Sequence, residues 1–381
     1  MKNIPYGKQF IDHKDKDSVL NSLSNDLITT GPFVNKFEKK LKNYLKCNYS
    51  YVCSSGTAAI HLAMLSIGLK KDDIILMPAV NFIASYNMAK IMQLKIYLVD
   101  VDESTGQVTP DKIQECINNY KLKRVKALIV MYHGGYPENL DSFYKIKRKY
   151  NFSIIEDACH ALGSEYKYKN KSYKVGSCKH ADVSTFSLHP LKTITSGEGG
   201  VITTNNNSIA KKIKLYRSHG ILRHKTMHWK YDVIKNGFNY RLSDINCALG
   251  FSQLAKINFF LEKRKKIYEK YLNELKNFNS NLTITEYARN IKPSFHLFVI
   301  NILFSKLKKN KDHFMRYLMS KKIVAQQHYI PIYKFSIYKK KTMSLIGSKK
   351  YYNNSISLPI YVDLSKKKQD KIIKIIKNYF N

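Results

Sequence analysis

The sequence lacks any run of 18 or more apolar residues, the length that a helix needs to cross a bilayer. Its first 17 residues also lack the apolar stretch of a signal peptide, so we expect a cytoplasmic protein without membrane insertion. The six cysteines include no Cys-x-x-Cys pair, which argues against a zinc site or a disulfide framework. No internal repeat or low-complexity linker divides the chain.

Acidic residues are scarce. The chain has 28 Asp and Glu against 65 Lys and Arg, a formal net charge of +37. A field of this size attracts phosphate-bearing ligands and other polyanions. The lysines are nevertheless spread along the whole chain, and no helix-turn-helix or finger spacing accompanies them. We interpret them as a solvated surface and predict no nucleic-acid partner.

The hydrophobic pattern predicts an α/β protein. Short β-rich apolar runs alternate with amphipathic helical segments through the first 250 residues, which is typical of βαβ units around a mostly parallel sheet. The predicted strands are 73–77, 94–99, 127–132, 152–156, 183–187 and 200–203, with helices at 58–66 and 81–92 between them. A long helix at 245–278, mixed structure and a helix near 366–379 follow. We predict a large domain at 1–255 and a smaller one at 256–381.

The segment 184–200 carries the strongest chemical signal. It places Lys192 just after an apolar strand and a His-Pro turn, in a loop rich in Gly and Ser. A lysine is usually a solvated surface residue, but a loop between two core strands is an unusual place for one. Such a lysine can form a Schiff base with an aldehyde.

Two further signals flank it in the predicted sheet. Glu156 and Asp157 end an apolar strand, where carboxylates of a parallel sheet face the ligand crevice; a strand-end Asp that caps a turn is the simpler alternative. Small residues from Cys53 to Ala59 open a helix whose amides suit a phosphate. A lysine, an acidic residue and a helix N-terminus are together the parts that a pyridoxal 5′-phosphate site needs.

The residues that carry a family resemblance run from Ile28-Thr-Thr-Gly-Pro to Ser355-Ile-Ser-Leu-Pro359 and include Glu156-Asp157-Ala158 and the block 186–200. The chain resembles the DegT/StrS family of nucleotide-sugar aminotransferases. The resemblance implies an aspartate-aminotransferase-like fold (fold type I) with a large, mostly parallel seven-stranded sheet domain and a smaller C-terminal α+β domain.

The resemblance also implies roles for residues around the cofactor pyridoxal 5′-phosphate. Lys192 would hold the cofactor as a Schiff base and move a proton, and Asp157 would pair with the pyridine nitrogen. Phe82 would stack on the ring and His160 would contact its phenolic-oxygen side; the alternatives are ordinary core packing for Phe82 and a satisfied buried histidine for His160. The phosphate contacts would be Gly56, Thr57, Ser187 and, from a partner subunit, Asn239.

On the substrate side, the matched positions are Tyr6, Thr30, Arg241, His328 and Tyr329. The implied working unit is a homodimer with shared active sites, because the loop that contains Asn239 reaches the partner's cofactor phosphate in the family.

The predicted function is a ping-pong transamination with a sugar nucleotide and an amino-acid donor as partners. Within the family, the sequence is most similar to enzymes that transfer an amino group to carbon 4 of a UDP-4-keto-6-deoxy-N-acetylhexosamine. These enzymes act in pseudaminic-acid biosynthesis for surface glycans. For this chain we expect L-glutamate as the amino donor. The alternatives are a GDP- or dTDP-linked keto-sugar, a non-catalytic binding or regulatory protein, and a sugar dehydratase. The dehydratases lack the Schiff-base lysine, which this chain has.

Overall fold

The structure is a computed structural model that describes residues 3–227, 229–286, 288, 290–339 and 344–380. Its strands are β1 (Tyr49–Cys53), β2 (Ile74–Pro78), β3 (Lys95–Val99), β4 (Val125–Met131), β5 (Ser153–Asp157), β6 (Glu165–Tyr168), β7 (Lys171–Lys174), β8 (Val183–Ser187), β9 (Gly200–Thr204), β10 (Ile221–Arg223), β11 (Tyr231–Val233), β12 (Leu282–Ile284), β13 (Ile291–Lys292), β14 (Phe298–Ile302) and β15 (Ser355–Leu358).

The α-helices are α1 (His13–Leu23), α2 (Pro32–Leu45), α3 (Gly56–Ser66), α4 (Ala84–Ile91), α5 (Pro110–Asn119), α6 (Leu140–Tyr150), α7 (Asn207–Arg217), α8 (Asp244–Ala255), α9 (Ile257–Leu275), α10 (Lys311–Ser320), α11 (Ile346–Asn354) and α12 (Lys366–Phe380). Short 3₁₀ turns lie at His133–Gly135, Phe304–Lys306 and Ile332–Lys334. In the described residues no helix is both long and apolar enough to cross a membrane.

A seven-stranded sheet in the order β1-β9-β8-β5-β4-β2-β3 forms the centre of the molecule. Its neighbours pair in parallel except β9, which runs antiparallel to both β1 and β8. The predicted large, mostly parallel sheet is therefore confirmed. All six predicted strands belong to it, whereas the edge strand β1 was not predicted from the short run before Ser54.

The sheet positions the site because its parallel strands end at one edge. β5 and β8 both run toward this edge, and Asp157 and Ser187 are their last residues. The strands are short and almost fully buried, as expected for a sheet covered by helices on both faces. The polar residues that follow them are therefore held close together on a rigid support.

The predicted continuous helix at 245–278 is wrong. The structure has two helices, α8 and α9, that meet at Lys256. There the amide bonds back to the carbonyl of Gln253, and the side-chain amine pairs with Asp12 (2.7 Å) and Asp15 (2.6 Å) at the start of α1. This ion cluster supports the corner, and a helical period alone does not reveal it.

The C-terminal part contains a second, three-stranded antiparallel sheet in the order β12-β14-β15. The N-terminal segment joins it, since Ile4 bridges Ile323 and the backbone of Tyr6 accepts a hydrogen bond from Ile360 (3.1 Å). One apolar cluster runs from the large sheet into this part of the chain. The division at residue 255 stays a prediction.

Candidate active site

A cavity of about 370 Å³ opens at the carboxyl edge of the large sheet. This volume lies within the usual range for small-molecule sites. Residues from both ends and the middle of the chain line it: Tyr6, Ser55, Gly56, Thr57, Ile60, Phe82, Ala84, Met131, Asp157, Cys159, His160, Ser187, His189, Leu191, Lys192, Glu198, His296, His328 and Tyr329.

One end of the cavity is the first turn of α3. Ser55 caps this helix by accepting a hydrogen bond from the amide of Ala58 (3.1 Å). Amides in a first helical turn have no partner within the helix and attract anions. A Cβ at Gly56 would lie 2.9 Å from the Cβ of Ser187, so a side chain does not fit there. Gly56, Thr57 and Ser187 therefore form a close-fitting polar end suited to a phosphate.

Lys192 lies in the loop between β8 and β9, where its amide bonds to the carbonyl of His189 (2.9 Å). Its side chain lines the cavity and is only partly exposed. Burial lowers the pKa of the Lys192 amine, and the acidic groups of Cys159 and Asp157 oppose this effect. A lower pKa increases the fraction of neutral amine, which is the nucleophilic form.

Asp157 is the last residue of β5 and is 2% exposed. Its carboxylate accepts hydrogen bonds from the Cys159 amide (3.3 Å) and the Ser85 hydroxyl (3.5 Å). It therefore caps a turn and also faces the cavity. Burial raises its pKa, while its hydrogen bonds and the charge of Lys192 act in the opposite direction. A cation in the cavity would stabilise the ionised carboxylate.

The expectation that Glu156 faces the crevice with Asp157 is wrong, because successive side chains of a strand point to opposite faces. Glu156 accepts hydrogen bonds from Tyr132 (2.7 Å) and from the Ser184 hydroxyl. It is 3% exposed and does not line the cavity. Burial raises its pKa, and the two hydroxyl donors partly offset this.

This environment predicts that Glu156→Gln gains stability relative to the wild type as the pH rises. A carboxyl with a raised pKa keeps its proton in the folded state after the unfolded chain has lost it near pH 4.5. Its stabilising contribution is complete below that pH and is lost as the pH rises through the folded-state pKa. The glutamine is neutral throughout. Urea unfolding of both proteins at pH 5 and pH 8 measures the difference.

Glu165→Gln is the matched control. Partial burial acts to raise the pKa of Glu165, but the bond from Lys174 (2.9 Å) and the charge of that lysine lower it below its ordinary value. Its contribution is present at high pH and lost as the pH falls, so this variant should become less stable relative to the wild type as the pH rises. Equal slopes for the two variants would contradict the assignment for Glu156.

Phe82 and His160 lie on the wall of the cavity. Phe82 is 52% exposed, so the alternative that it is ordinary core is wrong. His160 is 1% exposed. Its Nδ1 accepts a hydrogen bond from the Gly134 amide (3.3 Å), and its Nε2 bonds to the Tyr329 hydroxyl (2.8 Å). Both ring nitrogens of His160 therefore have hydrogen-bond partners within the protein, and the ring also forms part of the cavity wall.

The residues predicted for the substrate side divide into two groups. Tyr6, His328 and Tyr329 line the cavity. Thr30 and Arg241 are not among its lining residues; Thr30 is exposed and Arg241 is half-buried. Asn239, predicted to contact the phosphate of a partner's cofactor, is exposed and does not line the cavity of its own chain either. The segment of Asn239 runs beside the phosphate end, because the amide of Ser54 bonds to the carbonyl of Tyr240 (2.9 Å).

Sequence reasoning did not identify His296. Its ring lies 4.2 Å from the ring of His160, centroid to centroid, and it lines the cavity. Its amide bonds to the Gly134 carbonyl (3.1 Å). Arg264 of α9 donates through Nη1 to the carbonyls of Phe295 (3.5 Å), His296 (3.4 Å) and Ile360 (3.1 Å). A lone His just before strand β14 was the available signal, and nothing in the sequence joined it to His160.

The chemical groups that line the cavity are those that pyridoxal 5′-phosphate requires. A close-fitting helix N-terminus stands at one end, a lysine amine and a buried carboxylate lie in the middle, and an aromatic face is exposed on the wall. When bound, this cofactor supplies an aldehyde for amino groups and a ring that accepts electrons.

Solved structures share this architecture. The chain superimposes on the Helicobacter pylori aminotransferase PseC, described as involved in the biosynthesis of pseudoaminic acid, with a TM-score of 0.91 and 30% identity over 100% of this chain and 99% of that one. A putative sugar aminotransferase of Streptococcus pneumoniae in its PLP form gives a TM-score of 0.88 at 24% identity, covering 99% and 98% of the two chains. The fold and the site thus define a pyridoxal-phosphate-dependent enzyme of fold type I.

The sequence matches the DegT/DnrJ/EryC1/StrS aminotransferase family over residues 9–377. It is 37% identical over 368 residues to the UDP-4-amino-4,6-dideoxy-N-acetyl-beta-L-altrosamine transaminase of Campylobacter jejuni, covering 96% of this chain and 94% of that one. The chain belongs to this aminotransferase family, and its cofactor is pyridoxal 5′-phosphate.

Proposed function

We propose that the chain transfers an amino group from L-glutamate to carbon 4 of a UDP-4-keto-6-deoxy-N-acetylhexosamine, in the biosynthesis of a pseudaminic-acid-type sugar for a surface glycan. The observation that carries the proposal is that Lys192 and Asp157 line the same cavity. The chain is also 37% identical to a transaminase named for such a 4-amino sugar. The reaction takes place in the cytoplasm.

In this reaction each residue of the site has a defined task. Lys192 would hold the cofactor through its side-chain amine, and the same amine would take up and return the proton that the transfer requires. Asp157 would hold a proton at the ring nitrogen of the cofactor, and Phe82 would pack against its ring. Gly56, Thr57 and Ser187 bind the phosphate.

Tyr6, His328 and Tyr329 of the same chain contact the substrate. Thr30 and Arg241 are included because the family resemblance implies substrate contacts for them. The overall charge of +37 draws the doubly phosphorylated sugar nucleotide toward the protein.

A substrate panel tests the proposal. The cofactor-loaded protein is mixed with L-glutamate and, in turn, with UDP-, GDP- and dTDP-linked 4-keto-6-deoxy sugars, and 2-oxoglutarate is measured. We expect turnover with the UDP-linked N-acetyl sugar and a 4-amino product by NMR. Turnover of only the GDP- or dTDP-linked sugars would reassign the substrate. No 2-oxoglutarate with any sugar would contradict the proposed reaction.

The working unit proposed here is a homodimer with shared sites. Apolar side chains are exposed in two separate segments, α1 with the residues that follow it and the β10–β11 hairpin, and a second copy would cover them. They include Leu20, Leu23, Leu27, Leu222 and Val233. Asn239 lies close in sequence to this hairpin and would contact the phosphate of the partner's cofactor.

Mixing two inactive variants should restore activity. Lys192→Ala removes the amine of one chain, and Asn239→Asp adds a charge that repels the phosphate in the partner's site. A mixed dimer then has one site with both defects and one with neither, so random exchange should return about a quarter of wild-type activity. The assay follows 2-oxoglutarate after subunit exchange.

Mixing Lys192→Ala with Asp157→Asn is the control, because both residues serve the cavity of their own chain and no intact site can form. If the Asn239 mixture stays inactive although native mass spectrometry shows exchange, Asn239 serves its own chain.

A further inference from the structure

The hydrogen bond between Tyr329 and His160 has a direction that the backbone determines. The hydroxyl of Tyr329 lies 2.8 Å from Nε2 of His160. A hydroxyl and an imidazole nitrogen can each donate or accept, so this distance alone does not say which atom carries the proton. The other nitrogen of the same ring resolves the ambiguity.

Nδ1 of His160 lies 3.3 Å from the amide nitrogen of Gly134. A backbone amide can only donate, so Nδ1 must present its lone pair. Burial, together with the positive charge of Lys192, lowers the pKa of His160 well below its ordinary value. The ring is therefore neutral and has one proton, which must be on Nε2.

Nε2 then donates to the oxygen of Tyr329, and the hydroxyl proton of Tyr329 must point elsewhere. Burial and the nearby Asp157 raise the pKa of this phenol well above its ordinary value, so the proton is retained. Tyr329 lines the cavity, and among the described residues its hydroxyl forms no second hydrogen bond. The remaining direction for the proton is into the cavity.

Neighbouring contacts hold this arrangement in place. The ring of His296 packs on that of His160 at 4.2 Å, and its amide bonds to the carbonyl of Gly134, the residue whose own amide orients His160. Nε2 of His133 donates to the carbonyl of His328 (2.9 Å), the residue before Tyr329. Both rings of the pair are thus tied to the loop at Gly134.

We propose that Tyr329 is a hydrogen-bond donor of fixed direction into the cavity, set by the Gly134 amide through His160, and that it binds an acceptor oxygen of the ligand. His160 is a positioning residue in this chain of bonds. Because Nε2 of His160 already donates its hydrogen bond to Tyr329, His160 cannot donate to a ligand oxygen. The tyrosine hydroxyl makes this contact instead.

Two ligand oxygens have the required chemistry, the phenolic oxygen of the cofactor and a ring or hydroxyl oxygen of the sugar. The second of these rests on the proposed function. The direction of the donor does not, since it follows from protein atoms alone.

Nitrogen-15 NMR of histidine-labelled protein, without cofactor or substrate, tests the direction. We expect the His160 resonances, assigned by their loss in His160→Gln, to show a protonated Nε2 and an unprotonated Nδ1 between pH 6 and pH 9. A protonated Nδ1 would overturn the proposal, because Tyr329 would then donate to Nε2 and could not donate to a ligand.

Tyr329→Phe identifies the acceptor. The affinity of the cofactor-free protein for pyridoxal 5′-phosphate, by fluorescence titration, reports on the phenolic oxygen. The KM for the sugar nucleotide, measured at saturating cofactor and separately from kcat, reports on the sugar. Loss of one hydrogen bond to the ligand should weaken one of these by about tenfold. Changes below about twofold in both would overturn the proposal.

Tyr271→Phe is the matched control. Tyr271 is fully buried, whereas Tyr329 is partly buried, and it donates one hydrogen bond to a backbone carbonyl, that of Pro359 (3.1 Å), but it does not line the cavity. It should lower stability without changing either ligand measurement. If Tyr329→Phe resembles this control in every measurement, its hydroxyl is structural only and the proposal fails.

Discussion

Lys192→Ala should abolish transamination while the protein remains folded. The residue supplies the amine that holds the cofactor and moves the proton, and alanine can do neither. We expect kcat to fall by at least about a thousandfold, as when a nucleophile or general base is removed. The free energy of unfolding should change by less than about 2 kcal/mol, because the desolvation cost of a confined amine disappears with its packing contacts. Turnover and urea unfolding measure the two effects.

Two control variants separate the amine from its charge. Lys192→Arg keeps a positive charge but has no primary amine, so it should be as inactive as the alanine variant. Lys179→Ala removes an exposed lysine in the loop before β8 and should leave turnover unchanged. Borohydride should attach the cofactor covalently to the wild type and not to Lys192→Ala. Wild-type turnover in the alanine variant would show that the amine has been assigned to the wrong residue.

Asp157→Asn should lower turnover far more than it lowers cofactor affinity. Asparagine has the same shape and can still accept from the Cys159 amide, but it has no negative charge to hold a proton at the ring nitrogen. The lost charge matters most when electrons move into the ring, so we expect kcat to fall by about a hundredfold to a thousandfold. The helix N-terminus and Phe82 still hold the cofactor, so its affinity should fall by less than about tenfold.

The pair of measurements distinguishes this role from a structural one. Cofactor titration gives the affinity, and single-turnover kinetics at saturating cofactor give the chemical step. Ser85→Ala removes the second hydrogen bond to the carboxylate without removing its charge, and should have a much smaller effect on the chemical step. Equal losses of affinity and rate in Asp157→Asn would indicate that the carboxylate mainly caps its turn.

The sequence predicted those parts of the site that are local in the chain. Asp157 ends one apolar strand and Lys192 lies in the short loop after another, so the β-rich runs were enough to place both residues at the carboxyl edge of the sheet. Gly56 and Thr57 were predictable from another local signal, the small residues that open a helix, although the strand β1 before them was not predicted. The six predicted strands of the large sheet are equally local features.

What the sequence did not reveal depends on tertiary contacts. His296 reaches His160 only because the segment before β14 packs on the loop at Gly134, more than 130 positions away in the chain. Glu156 points away from the cavity because of the pleat of β5, and the corner at Lys256 depends on two acidic residues at the start of α1. Asn239, Thr30 and Arg241 lie outside the cavity of the single chain, so their roles stay predictions.

The buried guanidinium of Arg264 has a consequence for motion. It ties helix α9 to the backbone just before β14 and just after β15, so these three segments shift together. The histidine wall of the cavity belongs to the tied unit, because His296 is one of its anchor points. The His296 amide also bonds to the Gly134 carbonyl (3.1 Å), so the tied unit is held to the loop that orients His160. A movement of the C-terminal sheet relative to the large sheet, a type of motion that takes microseconds to milliseconds, would have to break this bond, and the packing of α9 therefore helps to keep the histidine wall in place.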